Sequence, residues 1–139
     1  MAHEGQEIEG FGGMRLRLVQ VDDDLLEIEA SYTGEAGMAP EHLHPSQAER
    51  FEILEGSMRA IIDGGERVYE QGESFDVPIG TPHQMAAEGP TRMRWEVRPA
   101  LRTAEFFERL YGTGPGSAQE LGEQFFAEYA DEFRLTSGA

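Results

Sequence analysis

Residues 15–32 of the chain read RLRLVQVDDDLLEIEASY, and apolar side chains alternate there with charged or polar ones. Leu16 and Leu18 stand next to arginines, and the run from Leu26 to Tyr32 keeps its apolar and aromatic side chains on one parity. Because successive side chains of a strand point to opposite faces, this alternation indicates two strands with one buried face each. The aspartates at 22–24 indicate a turn between them, so the stretch predicts a pair of antiparallel strands.

The same two-residue period recurs along the chain as far as Val97. Met93, Trp95 and Val97 alternate with charged residues, and clusters of Gly, Pro and Asp separate the runs. About eight strands in roughly 85 residues are typical of a sandwich or a jelly-roll barrel. We therefore predict an all-β fold, a barrel of two antiparallel sheets over residues 14–99, preceded by an acidic segment over residues 1–13.

The residues after the barrel change to a helical period. A first helix is indicated by apolar side chains that follow Thr103 at helical spacing, namely Phe106, Phe107, Leu110 and Tyr111. Residues 117–120 (SAQE) form a capping box, which predicts the start of a second helix. Its apolar stripe consists of Leu121, Phe125, Phe126, Tyr129 and Phe133. We predict two C-terminal α-helices over residues 100–135 that pack on the barrel or on a second subunit.

Composition excludes several classes of function. The chain has 139 residues, a net charge of −16 and no cysteine. A surface this acidic repels phosphate backbones and anionic lipids, so neither nucleic acid nor a membrane is an expected partner. The N-terminus lacks the features of a signal peptide, so we expect a cytoplasmic protein. Without thiolates, a metal ion must be bound by histidines and carboxylates.

Three of the four histidines lie in the predicted barrel. His42 and His44 have the i, i+2 spacing that places both imidazoles on one face of a strand, where one ion can bind both. We expect a hairpin after Pro45 to return Glu49 opposite them, and His83 follows a rigid Pro-rich turn. Three imidazoles and one carboxylate suit one divalent ion per chain, such as Fe, Mn, Ni, Co or Zn, with up to two positions left open.

Two other carboxylates are alternatives to Glu49 in this set. Glu41 precedes the histidine pair, and Glu52 lies three residues beyond Glu49. His3 lies on the acidic N-terminus, and we expect it to be an ordinary solvated residue.

The two histidine segments resemble the paired motifs of the cupin superfamily, specifically those of its small single-domain, conserved-barrel proteins (cupin 2 type). His42-Leu43-His44, four residues, Glu49, six residues and Gly56 match the first motif. Gly72, five residues, Pro78-Ile79-Gly80, two residues and His83 match the second. The sequence departs at two points: four rather than five residues separate Gly37 from His42, and Ala87 replaces an asparagine. The resemblance implies a jelly-roll barrel, a bound metal and a homodimer.

Strand parity predicts which side chains surround the ion. If Glu49 and His83 face inward, the inward neighbours form a mostly apolar cavity suited to a small organic molecule. The expected pocket residues are Phe51, Ile53, Phe75, Met85, Met93 and Trp95. Parity leaves open whether they contact a substrate or belong to the core. No inward-facing arginine is evident that could anchor an anionic substrate.

Two classes of function fit these features. The first is a mononuclear metalloenzyme, either an oxygenase or a Lewis-acid isomerase, lyase or cyclase, that acts on a small organic molecule. The alternative is a non-catalytic ligand-binding or sensor protein whose metal is structural. The fold does not choose among these reactions, because one barrel can carry many sites.

Overall fold

The computed structural model describes residues 2–111 and 124–136. Within these ranges the chain forms eleven strands, one 3₁₀ turn (Phe11–Gly13) and two short helices. The strands are β1 (Glu7–Glu9), β2 (Arg15–Val21), β3 (Leu26–Tyr32), β4 (His42–Leu43), β5 (Ala48–Glu55), β6 (Ser57–Ile62), β7 (Gly65–Glu70), β8 (Ser74–Val77), β9 (His83–Ala87), β10 (Thr91–Arg98) and β11 (Arg134–Leu135). The helices are α1 (Thr103–Tyr111) and α2 (124–128).

The strands form two antiparallel sheets, which confirms the predicted fold class. One sheet has the order β1-β2-β3-β10-β5-β8, and the other has the order β11-β4-β9-β6-β7. The stretch 15–32 is the β2–β3 pair, in which Leu16 faces Ala30 and Leu18 faces Ile28 across the ladder. Nine strands lie between residues 14 and 99, where about eight are expected. The shortest of them, β4, has only two residues.

Both sheets turn their apolar side chains toward a common interior. One core cluster contains Leu16, Leu18, Leu26, Ile28 and Ala30 and continues into the helices. A second cluster contains Phe51, Ile53, Met58, Ala60, Phe75, Val77 and Met93. Tyr32 and Trp95 contact both clusters. These two side chains therefore lie where the halves of the barrel interior meet.

Helix α1 packs its aromatic face on the first core cluster. Phe106 is almost fully buried, and its ring stacks on those of Phe125 (5.4 Å between centroids) and Phe133 (5.0 Å). Of the predicted stripe, Phe125 and Tyr129 are buried, whereas Phe126 and Phe133 are partly buried. Leu121 and the capping box at 117–120 lie outside the described residues. None of the described helices is long and apolar enough to cross a membrane.

The C-terminal segment returns to the barrel as a strand. Arg134 pairs with Leu43, and Leu135 pairs with His42, so that β11 is added to the edge of β4. The helical period of residues 121–133 gives no indication of this strand. The consequence is that the end of the described chain lies beside the first two histidines.

Candidate metal centre

The β4–β9 ladder brings two of the predicted histidines together. His42 lies directly opposite His83, and their ring centroids are 4.4 Å apart. His44 follows the end of β4, with ring centroids 5.1 Å from His42 and 5.3 Å from His83. One ring nitrogen from each of the three lies within 4.8 Å of the others, which is a spacing suited to a metal ion.

Glu49 approaches these histidines from the opposite sheet. Its Oε1 lies 3.1 Å from Nε2 of His44 and 3.0 Å from Nε2 of His83. The expected β4–β5 hairpin is wrong, because β4 belongs to the five-stranded sheet and β5 pairs with β8 and β10 in the other. The chain crosses between the sheets at 44–48, because β4 offers only two residues for pairing, whereas β10 pairs with β5 at seven positions.

Two hydrogen bonds support the crossing. The buried amide Nε2 of Gln47 donates to the carbonyl of Ala100 at 2.8 Å, which ties the crossing to the segment before α1. Gly80 donates its backbone N–H to the carbonyl of His44 at 2.9 Å. Gly80 has a φ of 73°, a conformation that glycine adopts without a Cβ penalty, which explains a glycine at this point of the turn.

The three imidazoles share one hydrogen-bonding arrangement. Each Nδ1 lies within hydrogen-bond distance of a backbone carbonyl oxygen, in the pairs His42 with Pro40 (3.0 Å), His44 with Glu132 (2.7 Å) and His83 with Thr81 (2.9 Å). A carbonyl oxygen only accepts, so each Nδ1 must carry the proton and donate. The neutral tautomer then leaves a lone pair on each Nε2, the atom that a metal ion binds.

The inward atoms of the site lack partners among the described residues. Nε2 of His44, Nε2 of His83 and Oε1 of Glu49 are buried, and none of them forms a hydrogen bond within residues 2–111 and 124–136. In neutral imidazoles with Nδ1 protonated, both nitrogens are acceptors, and each lies about 3 Å from the acceptor Oε1 of Glu49. Buried acceptors without a donor are unfavourable, and a cation between them removes that penalty. The donor set therefore fits a divalent ion.

Electrostatics of the metal-free site agree with this arrangement. Desolvation disfavours ionisation of Glu49, but His44 and His83 outweigh it and hold the pKa of Glu49 well below its usual range. Burial disfavours the charged form of His44, yet the Glu49 carboxylate raises the pKa of His44 above its ordinary value. Burial and the charges of His83 and His44 lower the pKa of His42 to about 4. Without a metal ion, Glu49 thus favours a proton on His44, and a bound cation would take the place of that proton.

A tryptophan controls the orientation of the carboxylate. Nε1 of Trp95 donates a 2.7 Å hydrogen bond to Oε2 of Glu49. Strand parity predicts Trp95 as a pocket neighbour but gives no indication of this bond. Because Oε2 is occupied by the indole, Oε1 faces the histidines.

The C-terminal segment completes the site, and sequence reasoning missed it. Besides the carbonyl of Glu132, the ring of Phe133 stacks on His42 with 4.6 Å between centroids and 22° between planes. His44 and Glu132 are 88 residues apart in the chain, so no local spacing relates them. The long aromatic stripe is the one available signal that this segment packs on something.

A cavity of about 500 Å³ opens beside the four candidate ligands. The side chains of Phe51, Met85 and Trp95 line it, together with His42, His44, Glu49 and His83. The other three predicted pocket residues belong to the second core cluster, namely Ile53, Phe75 and Met93. No arginine is among the cavity-lining residues that the structure describes.

The alternative carboxylates lie elsewhere. Glu41 accepts a hydrogen bond of 2.6 Å from the hydroxyl of Thr136, and Glu52 accepts one of 2.8 Å from Arg94 on the outer face of the sheet. His3 lies within 3.0 Å of the carbonyl of Glu4 at the N-terminal end. Glu49 is the carboxylate that the fold brings to the three histidines.

Comparison with known proteins agrees with the architecture. The family model of the cupin domain matches residues 29–97, a range that contains all four candidate ligands. No curated protein matches the sequence. Similar solved structures include KdgF from Halomonas sp., with 18% identity, coverage of 68% of this chain and 86% of KdgF, and a TM-score of 0.62.

Two further structures have the same fold. An RmlC-like cupin from Shewanella frigidimarina has 19% identity, covers 71% of this chain and 87% of its own, and gives a TM-score of 0.64. The Streptomyces protein Pac13, a nucleoside dehydratase with structures in the presence of uridine, has 17% identity, covers 69% of this chain and 77% of its own, and gives a TM-score of 0.58. With both sequence motifs, the two-sheet barrel and these likenesses in view, the chain belongs to the cupin superfamily.

Proposed function

We propose that the protein is a mononuclear metalloenzyme that acts on a small organic molecule in the cavity beside the ion. The proposed ligands are His42, His44, Glu49 and His83. The observation that carries the proposal is the convergence of buried acceptor atoms, since Nε2 of His44 and Nε2 of His83 meet Oε1 of Glu49 with no donor between them. Such a set suits Fe, Mn, Ni, Co or Zn in the divalent state.

The position of the cavity favours an enzyme over a structural metal site. All four proposed ligands line the cavity, so an ion held by them would face the space that a substrate occupies. Structural sites are closed by protein ligands, whereas catalytic sites keep positions open. When bound, the ion supplies Lewis-acid polarisation of a substrate oxygen or, if it is iron, the redox chemistry of an oxygenase. The chain itself orients the ligands and keeps bulk water out with apolar walls.

The likeness to Pac13 supports a small organic substrate. Pac13 is a nucleoside dehydratase studied with uridine, and it shares only the fold with this chain. We carry over the class of partner, a small molecule bound inside the barrel, and leave the reaction type open among oxygenase, isomerase, lyase and cyclase. A cytoplasmic location and a homodimer complete the proposal, and light scattering on the purified protein tests the dimer.

Metal analysis tests the ligand set. The purified protein should bind one divalent ion per chain. His44→Ala and His83→Ala should each lose most of the bound metal, because removal of one of four ligands lowers the affinity steeply. His3→Ala, which removes a histidine at the N-terminal end, is the matched control and should keep full occupancy. Unchanged occupancy in both site variants would overturn the proposal.

Cobalt substitution tests whether the site is open. With no cysteine in the chain, the visible spectrum of the Co(II) protein reports on nitrogen and oxygen ligands alone. Addition of acetohydroxamate, a bidentate oxygen ligand, should change the cobalt absorption bands. A cobalt-loaded protein whose bands do not respond would have a closed site, and the structural-metal alternative would then replace the enzyme.

A further inference from the structure

Two tyrosines on different elements border the same cavity as the candidate metal ligands. Tyr32 ends β3 and has the inward parity of Ile28 and Ala30. Tyr111 ends α1, and both tyrosines are among the cavity-lining residues. We refer to Tyr32 and Tyr111 as the phenol pair. A sheet and a helix thus each bring one phenol to the wall of the cavity.

Neighbouring rings fix the pair in place. Tyr111 packs edge-on against Phe11 (4.7 Å, 81°) and stacks on Phe107 (5.9 Å, 12°). The ring of Phe107 in turn contacts that of Trp95, with 5.3 Å between centroids, and Trp95 is the residue that orients Glu49. Tyr32 packs against both core clusters. Because the rings are held by packing, the hydroxyls have little freedom to find partners elsewhere.

Neither hydroxyl has a hydrogen-bond partner among residues 2–111 and 124–136, although tyrosine hydroxyls in buried surroundings usually find one. Burial, together with the nearby Tyr111 and Glu49, raises the pKa of Tyr32, and burial raises the pKa of Tyr111 to about 12. Both phenols therefore carry their protons at neutral pH. A ligand in the cavity meets two available hydrogen-bond donors.

The rest of the wall limits the charge of such a ligand. Apart from the four candidate ligands and the phenol pair, the described lining consists of apolar or aromatic side chains and glycines, without arginine or aspartate. The chain contains no lysine. A negative charge remote from the ion would lose its hydration and gain no cationic partner, which is unfavourable. An acceptor oxygen on an uncharged group would instead be satisfied by a phenol.

We propose that the phenol pair is the second anchor for the ligand of the metal site, and that this ligand is a largely apolar molecule with two oxygen functions. One function binds the ion, and the other, an uncharged carbonyl or ether oxygen, accepts a hydrogen bond from Tyr32 or Tyr111. This inference rests on the proposed function, because it requires an ion that holds the first oxygen.

Four probes with one metal-binding head test the inference. Benzohydroxamic acid supplies the head and an apolar ring; its 3-acetyl and 4-acetyl derivatives add an uncharged acceptor in two directions; its 4-carboxy derivative adds a negative charge. The dissociation constants are measured by calorimetry on the metal-loaded protein. We expect one acetyl derivative to bind about threefold to tenfold more tightly than the parent compound, which is the effect of one hydrogen bond. The carboxy derivative should bind more weakly than the parent.

Conservative variants identify the donor. Tyr32→Phe or Tyr111→Phe should abolish the gain from the acetyl group while leaving metal occupancy and the affinity for benzohydroxamic acid unchanged. Tyr69→Phe is the matched control, because Tyr69 packs on Phe75 and is not among the cavity-lining residues. It should retain the gain. Each variant's melting temperature shows whether it folds, and both variants are measured because either tyrosine can be the donor.

The outcomes separate this inference from the proposed function. If the protein binds metal and benzohydroxamic acid but neither acetyl group increases affinity, or if the gain survives in both tyrosine variants, the phenol pair is not an anchor and the proposed function stands. Tighter binding of the carboxy derivative would overturn the uncharged ligand class. If the protein binds no metal, the proposed function and this inference fail together.

Discussion

Nε1 of Trp95 donates a 2.7 Å hydrogen bond to Oε2 of Glu49, while Oε1 of the same carboxylate faces His44 and His83 at 3.1 and 3.0 Å. The indole thus decides which oxygen is available to an ion. Hydrogen bonds of this kind fix the orientation of a metal ligand, and their loss typically lowers metal affinity by about tenfold to a hundredfold. The ring of Trp95 also packs on Phe51, at 5.6 Å between centroids, so the residue links the core to the site.

Trp95→Phe should weaken metal binding without unfolding the barrel. Phenylalanine keeps an aromatic ring against Phe51 but removes the N–H, so Glu49 is free to rotate and the affinity should fall by about tenfold. The dissociation constant is measured by competition with a chelator. In a Glu49→Gln background the same substitution should have a much smaller effect, because the bond then has no carboxylate to orient. Equal effects in both backgrounds would show that Trp95 acts by packing alone.

Glu49→Gln should lower metal affinity far more than Glu52→Gln. The amide keeps the size of the side chain but removes the charge that the ion needs, whereas Glu52 pairs with Arg94 on the outer face. Trp95 is the single tryptophan of the chain, so quenching of its fluorescence by Co(II) reports on the site directly. We expect the quenching curve of Glu52→Gln to match that of the unmodified protein. A similar shift in both variants would argue against Glu49 as a ligand.

The sequence was sufficient for the strand pattern and for placing His42 beside His44, because both depend on local spacing, whereas His83 joined the set through its Pro-rich turn and the second of the paired motifs. Alternation over 15–32 predicts the β2–β3 pair, and the i, i+2 spacing of His42 and His44 accounts for their closeness. Parity also places Phe51 and Ile53 on the inward face of β5. Parity says nothing of depth, however, and only the structure shows that Phe51 borders the cavity as well as the core, whereas Ile53 lies in the core alone.

Contacts between distant segments were beyond reach of the sequence. The crossing at 44–48 depends on which strands β5 pairs with, and nothing in the spacing of His44 and Glu49 distinguishes a hairpin from a change of sheet. The role of Glu132 is carried by a backbone carbonyl, which every residue possesses. The stack of Phe133 on His42 likewise needs the return of the chain as β11.

Phe133→Ala should destabilise the protein and weaken metal binding together. The ring packs on His42 and on Phe106, and loss of a partly buried aromatic ring should lower the free energy of unfolding by about 2 kcal/mol. The adjacent carbonyl of Glu132 is then less firmly held against His44. Urea unfolding and metal titration measure both effects. Leu135→Ala, a change at an exposed side chain of the same segment, should alter neither quantity by much.

The metal-free protein should lose stability as the pH falls from about 6.5 toward 4, and His42 is the reason. In the unfolded chain His42 has its ordinary pKa of 6.5, whereas in the folded chain burial and the charges of His83 and His44 lower its pKa to about 4. Above pH 6.5 both states are neutral at His42, and the residue contributes no pH dependence. Between the two values the unfolded state binds the extra proton, so stability decreases with falling pH.

The size of this effect follows from the same two pKa values. The full difference is worth about 3 kcal/mol and about 2 kcal/mol of it is lost by pH 5. Glu49 adds to this loss only below about pH 5.5, because above that pH its lowered pKa leaves it ionised in both states. His44 acts in the opposite direction: its raised pKa adds stability that is fully present below 6.5 and is lost as the pH rises through its folded value.

Comparison of two proteins isolates His42 from the other titrating groups. Urea unfolding of the chelator-treated chain at pH 7, 6 and 5 should show a steeper loss of stability than the same series on His42→Gln, which retains His44, His83 and Glu49 but lacks the shifted imidazole. The absolute stability of the variant does not matter, because the two slopes are compared. Parallel slopes would mean that His42 is protonated as readily in the folded chain as in the unfolded one. They would show that burial of its ring against Phe133 does not keep His42 neutral and able to bind an ion.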